Sequence, residues 1–244
     1  MEAVAALAAL VRERQPVVAL TGAGVSTESG IPDFRSATGL WAEEDPFEVA
    51  TIDAFRRHPE RVWQFYAGRY RSLLDAEPNA AHRALAELER RGLLTAVITQ
   101  NIDTLHERAG SREVVEVHGS IRTAACLRCG GEEPLTDVLD QLDAGETPSC
   151  RACGAILKPG VVLFGELLPV EAIERATELA RGAGLMLVVG SSLEVWPVAG
   201  LPLESRSYAI VNRGATTLDE HAAVVIDAGA GETLAALVEA LPGR

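Results

Sequence analysis

Six short runs of apolar, β-branched residues constrain this chain most: PVVALT (16–21), LLTAVITQN (93–101), EVVEVHG (113–119), LMLVVGSS (185–192), SYAIVN (207–212) and AAVVIDA (222–228). Several are apolar at nearly every position instead of alternating. Strands buried on both faces of a parallel sheet read this way. Helical patterns lie between or beside them, at 80–91, 170–182 and 232–241. Strand–helix alternation argues a doubly wound, Rossmann-like α/β sheet. Near the N-terminus, Val4, Leu7, Leu10 and Val11 recur at the spacing of an amphipathic helix.

Two stretches break the alternation. Residues 37–76 carry most of the aromatics and 120–158 carry all four cysteines. Both read as insertions that form a smaller second domain, helical and zinc-binding. The large domain then comprises 1–36, 77–119 and 159–244. Cys126 and Cys129 form one C-x-x-C pair, Cys150 and Cys153 a second, with twenty residues between. That spacing matches a tetrahedral four-cysteine zinc site. A glycine after each pair suits a tight knuckle that needs positive φ. Four protein ligands leave no open position for water, so the metal is expected to be structural.

Polar residues gather at the strand ends. Gly22 and Gly24 follow the first run; Gln100, Asn101 and Asp103 end the second; His118 ends the third. Gly190, Ser191 and Ser192 end the fourth and Asn212 the fifth. Ligands of open parallel sheets bind outside the carboxyl ends of the strands. The first loop, TGAGVSTESGIPDFR (21–35), starts as a dinucleotide fingerprint does, but Thr27 stands where a third glycine belongs and a polar run follows.

The segments GAGVSTESGIPDFR, TQNIDTLH (99–106), VHG (117–119), the paired C-x-x-C and GSSLEVWP (190–197), in this order, resemble the sirtuins, NAD-dependent protein lysine deacylases. The family commonly has Gly-Thr-Ser where this chain has Gly190-Ser191-Ser192; serine keeps the hydroxyl. The resemblance implies that Gly22, Ala23 and Gly24 approach phosphate. It implies that the segment through Asp33, Phe34 and Arg35 closes over the nicotinamide ribose, Phe34 shielding a developing sugar cation and Arg35 meeting a phosphate. It implies attack by the acyl-lysine carbonyl oxygen on C1′ of the ribose, giving an O-alkylimidate. His118 is then the base that activates a ribose hydroxyl, with Asn101 at the reacting end. Asn101, Ile102 and Asp103 line the nicotinamide pocket, although Asp103 also suits a cap for the following helix. Gln100 reaches the ribose, Ser191 and Ser192 contact phosphate or ribose, Asn212 contacts the adenosine ribose, and Ala230 lies against adenine. Gly165, Glu166 and Val195 are expected to pair with an extended substrate peptide through the main chain. Of the other histidines, His58, His82 and His221 are expected to be solvated and His106 to brace its loop.

Tyr66 and Arg69 are three apart on a helix that Pro59 starts, so they share a face. A phenol beside a guanidinium is a carboxylate receptor. Tyr-x-x-Arg at this place also resembles the class III sirtuins, which remove succinyl and malonyl groups. The net charge of −13 disfavours nucleic acid as a partner. No run is long enough for a membrane span, and the N-terminus lacks the features of a secretory signal, so the expectation is a cytoplasmic protein acting on acylated lysines of other proteins. Two other readings remain: an NAD-dependent ADP-ribosyltransferase on the same scaffold, and a non-enzymatic NAD sensor.

Overall fold

The computed structural model describes residues 2–241. The nine strands among them are β1 (Val17–Thr21), β2 (Ala96–Thr99), β3 (Val114–Glu116), β4 (Gly119–Ala125), β5 (Glu132–Pro134), β6 (Lys158–Val161), β7 (Leu185–Val189), β8 (Tyr208–Asn212) and β9 (Val224–Asp227). Six form one sheet in the order β3-β2-β1-β7-β8-β9, every neighbouring pair parallel. All six expected strands are present. From β1 the chain steps outward to β2 and β3, then returns to the other side of β1 and steps out through β7, β8 and β9. The order reverses between β1 and β7, which opens the crevice where such sheets bind ligands.

Strand residues alternate between two apolar layers. Val17, Ala19, Val97, Leu187 and Val189 face one layer with Leu7, Leu85, Leu88, Leu234 and Leu237. These last come from helices Glu2–Glu13, Ala80–Arg90 and Ala230–Ala240. Val18, Leu20, Ile98, Met186 and Val188 face the other with Ala176 and Leu179, from helix Val170–Gly182. No described helix is long and apolar enough to cross a membrane.

The third expected strand divides. β3 ends at Glu116, and Gly119, at φ 77°, opens β4 of a second sheet ordered β5-β4-β6. A Cβ at position 119 would stand 2.3 Å from the Gly160 carbonyl oxygen, and one at position 160 would stand 2.3 Å from the Thr123 carbonyl oxygen, so β4 and β6 come this close only because both residues are glycine. His118 therefore sits at the crossing from one sheet to the other. The small sheet spans 119–161, slightly more than the expected insertion 120–158.

The small domain has its own core, built from the aromatics of 37–76 and the cysteine-bearing segment. Trp63, Tyr70, Leu73, Ile121, Cys126, Cys150, Leu157 and Leu163 share one buried cluster. Trp63 and Tyr70 lie on helix Pro59–Asp75, which Pro59 starts as expected. The Trp63 indole N–H donates to the Leu157 carbonyl at 2.7 Å, tying this helix to the zinc-binding segment.

Candidate active site

A cavity of about 450 Å³ lies at the carboxyl ends of β1, β2, β7 and β8, between the two domains. It brings together Gly22, Ala23, Gly24, Asp33, Phe34, Arg35, Tyr66, Arg69, Gln100, Asn101, Ile102, Asp103, His118, Gly165, Glu166, Gly190, Ser191, Ser192, Val195 and Asn212. Ala230 is not on its wall; it starts helix Ala230–Ala240 and packs in the apolar layer.

The glycines of the first loop do something other than what their pattern suggests. Gly22 N–H donates to Val189 O at 3.2 Å and Gly24 N–H to Gly190 O at 2.9 Å. Both amides are spent on stitching the loop to β7, and of the three loop amides only that of Ala23 is free of such a bond among the described residues. A Cβ on Gly24 would stand 2.9 Å from Gly190 Cα, and one on Gly190, at φ 63°, 2.2 Å from Val25 N. The glycines are small so that two backbones can touch. From Gly22 onward Ala23–Ser29 forms a 3-10 helix.

Behind this helix lies a buried polar network. Ser26 Oγ donates to Asp103 Oδ2 at 2.7 Å and accepts from Asn101 Nδ2 at 3.0 Å. Asn101 Nδ2 also donates to Gly22 O at 3.2 Å. Asp103 Oδ1 accepts from Leu105 N–H at 3.0 Å, the first amide of helix Leu105–Arg108, whose N-cap is Thr104, and Asp103 braces the loop as well. His82 is buried, contrary to the solvated place expected for it. The Asn79 N–H donates to its Nδ1 at 3.2 Å, so Nε2 carries the proton and faces Ser26 Oγ at 3.4 Å. The charge pattern of helix Ala80–Arg90 gave no sign of this; a capping asparagine three residues before a histidine did, because that pair forms a capping box. His106 braces as expected: Thr21 Oγ1 donates to Thr99 Oγ1 at 2.8 Å and so accepts from His106 Nε2 at 2.9 Å. Burial pushes His82 down to about 4 and His106 to about 3.

His118 presents one ring nitrogen to the protein and leaves the other open. Its Nδ1 lies 3.0 Å from the Gln100 carbonyl oxygen. A carbonyl only accepts, so Nδ1 carries the proton and Nε2 is left with a free lone pair. Burial lowers the imidazole below its ordinary range, against the raising effect of that bond, and keeps it neutral at pH 7. Gln100 Nε2 in turn donates to Ser191 Oγ at 2.9 Å.

The facing wall is aromatic and cationic. Phe34 and Trp41 lie 5.2 Å apart, and the Arg69 guanidinium stands 5.1 Å over the Phe34 ring and 5.3 Å over Phe65. Arg69 Nε is buried with no hydrogen-bond partner among the described residues. Burial lowers Arg69, with Tyr66 and Tyr70 opposing. Burial pushes the Tyr66 phenol up to about 12, Arg69 pulling it down and Glu166 raising it, so it is a protonated donor. Arg35 pairs with Glu194 across the cleft at 2.9 Å, and Asp33 Oδ1 holds the N–H groups of Arg35 and Ser36. Asn212 Nδ2 donates to the carbonyls of Arg213 and Gly214.

At the expected peptide seam, Glu166 N–H is taken by Leu163 O at 3.0 Å and Val195 O by Ala199 N–H at 2.9 Å. The main-chain groups left over for a strand-like partner among the described residues are those of Gly165, the carbonyl of Glu166 and the N–H of Val195.

The four cysteine sulfurs all lie within 4.8 Å of one another. Cys126 and Cys153 are 3.5 Å apart and Cys129 and Cys150 3.7 Å, far too long for disulfides. Sulfurs about 2.3 Å from a tetrahedral metal lie about 3.8 Å apart, so this donor set fits Zn²⁺. Gly130 and Gly154 take φ 73° and 70°, as knuckles require.

The model of the Sir2 family matches residues 22–197. A relative from Caldivirga maquilingensis, described as an NAD-dependent protein deacetylase, is 46% identical over 97% of this chain and 93% of its own length. A Sir2 enzyme structure, from work on Sir2 mechanism and regulation, superposes at a TM-score of 0.91 with 44% identity, covering 98% of this chain and 97% of its own. A Sir2 variant with a deacetylated p53 peptide and 3′-O-acetyl-ADP-ribose superposes at 0.92 with 40% identity, over 97% of this chain and 98% of its own.

Proposed function

This chain belongs to the Sir2 family, and from that premise we propose that it is an NAD-dependent protein lysine deacylase whose acyl range includes succinyl and malonyl as well as acetyl groups. One observation carries the acyl range: a buried guanidinium nitrogen without a partner among the described residues, Arg69 Nε, on the cavity that His118 also lines. A buried cation left unpaired is costly, and a carboxylate satisfies it. An acetyl group has no charge to offer; a succinyl or malonyl group ends in one. The Tyr66 phenol adds a neutral donor on the same helix face.

NAD, when bound, supplies an electrophilic ribose carbon and a nicotinamide leaving group. The chain's own residues do the rest. Ala23 offers its amide to phosphate at the start of the 3-10 helix. Asp103 and Asn101 hold the loop that borders the nicotinamide end. Phe34 and Trp41 exclude water from the reacting carbon. His118 accepts a proton at Nε2 while Gln100 O holds Nδ1–H, which fixes the ring's direction and tautomer. Gly165 and Val195 bind the substrate backbone and ignore its side chains, so many proteins qualify as substrates. Zinc on Cys126, Cys129, Cys150 and Cys153 staples the small domain.

The test is to incubate the protein and NAD with one peptide bearing acetyl-, succinyl- or malonyl-lysine and to follow products by mass spectrometry. Deacylated peptide, nicotinamide and 2′-O-acyl-ADP-ribose are expected from all three. ADP-ribosylated protein without deacylation would overturn the activity. Turnover of the acetyl-peptide alone would overturn the acyl range.

A further inference from the structure

Lys158 is buried, and nothing in the reaction above uses it. Its ammonium has three protons and meets three acceptors: Val161 O at 2.6 Å, Pro159 O at 3.0 Å and Glu166 Oε2 at 3.0 Å. Glu166 is itself largely covered, its side chain 19% exposed against 8% for Lys158. A buried ion pair seldom stabilises more than well-packed apolar side chains of the same size, so its value lies in fixing a geometry.

The geometry here is a turn. Glu166 N–H donates to Leu163 O at 3.0 Å, and Glu166 Oε2 accepts from Leu163 N–H at 2.8 Å. Gly165, third in the turn, takes φ 88°, the conformation a type II turn demands of that position. The turn therefore closes twice, once through the backbone and once through the Glu166 carboxylate. The same carboxylate oxygen is the one Lys158 grips. On either side the segment is anchored: Val162 N–H donates to the His118 carbonyl, and Phe164 exchanges bonds with Ala50 and Ile52. Gly165, which keeps its main-chain groups free, thus sits in a turn that backbone bonds anchor on both sides and one side-chain pair locks.

We propose that Lys158 is a positioning residue, which fixes the Leu163–Glu166 turn through Glu166 and so sets the free main-chain groups of Gly165 for the substrate peptide. This rests on the deacylase reading, in which the peptide runs along Gly165. Lys158 acts on the peptide backbone, not on the acyl group or on NAD. The consequence separates it from Arg69: losing Lys158 affects every acyl-peptide alike.

The experiment is steady-state kinetics of zinc-loaded Lys158→Met on acetyl- and succinyl-peptides. The KM for both peptides is expected to rise about tenfold or more, by the same factor, with the KM for NAD unchanged and kcat lowered less. Adding Glu166→Gln to Lys158→Met should recover part of the peptide KM, because a neutral carboxamide oxygen can still accept from Leu163 N–H without a stranded charge. If Lys158→Met does not fold, Glu166→Ala is measured instead; it opens the turn from the other end while Lys158 keeps two carbonyls. The same selective rise in peptide KM is then required. Unchanged peptide KM in a folded variant, or a parallel rise for NAD, overturns the inference. A wild-type protein that deacylates nothing overturns the deacylase reading instead.

Discussion

On and just behind the wall that the large sheet gives the cavity, most polar side chains are already committed to protein partners. Ser26 holds Asp103 and Asn101, Thr21 holds Thr99 and His106, and the Gln100 carbonyl holds His118. Even the loop glycines spend their amides on β7. Where the helix Pro59–Asp75 lines it, the opposite is true: aromatic faces surround a guanidinium whose Nε bonds to nothing described. The first wall is closed to revision, since each member leaves another buried polar atom stranded if it goes. The second can be altered one side chain at a time. The proposed catalytic wall and the proposed acyl wall thereby lie on two domains.

The harshest way to break that comparison is to remove the metal. Helix Pro59–Asp75 leans on the zinc segment through Trp63 and Leu157, so the adjustable wall depends on it. Chelation, or Cys150→Ser, is expected to abolish activity and lower Tm together in a thermal melt. Stripped protein that keeps both its melting point and its rate would show the metal to be dispensable.

On the fixed wall, His118→Ala should lower kcat about 10²- to 10⁴-fold, the usual worth of a positioned acid–base group, in a protein that still folds and melts somewhat lower because the Gln100 carbonyl loses its donor. The wild-type kcat/KM should fall on the acid side with a midpoint below 6.5, since burial holds His118 beneath its ordinary value and only the neutral ring accepts a proton. A folded variant with full turnover would sink the assignment.

Arg69→Met sharpens the contrast on the adjustable wall. Its KM for succinyl-peptide should rise roughly 10- to 150-fold, the equivalent of a lost charge-assisted contact worth about 1.5–3 kcal/mol. The acetyl-peptide should barely change. Equal losses on the two would show that Arg69 only supports the helix.

The smallest expected effect is on stability in acid. His82 and His106 are held neutral in the fold, at about 4 and about 3, while an unfolded histidine titrates near 6.5. Between those values the unfolded chain binds more protons, so stability is full above about pH 6.5 and declines as pH falls toward 4. Melts at pH 7 and pH 5 should differ, and His82→Gln should narrow the difference. A Tm independent of pH in this window would mean that the two rings are not sealed.

Much of this was legible in the chain itself. Continuous apolar runs read as strands buried on both faces because a parallel sheet covered by helices leaves them no wet side. Two C-x-x-C pairs read as one metal site because the ligand chemistry is local and its spacing carries little ambiguity. Pro59 announced its helix because a missing N–H costs nothing at a first position. Other features had no local signal. Gly22 and Gly24 look like phosphate-facing glycines, yet they spend their amides on a neighbouring strand, and Gly190, at the end of that strand, has Val25 N only 2.2 Å from where its Cβ would be. His82 shows its capping box with Asn79 locally, but not that its helix presses it against Ser26. Lys158 and Glu166 stand eight residues apart with nothing in the spacing to join them. In each case the partner lies across a gap that only packing closes. Strand runs, knuckles and helix starts are set by forces within a few residues, whereas which hydrogen bonds remain open in a cavity depends on what the rest of the chain has brought beside them.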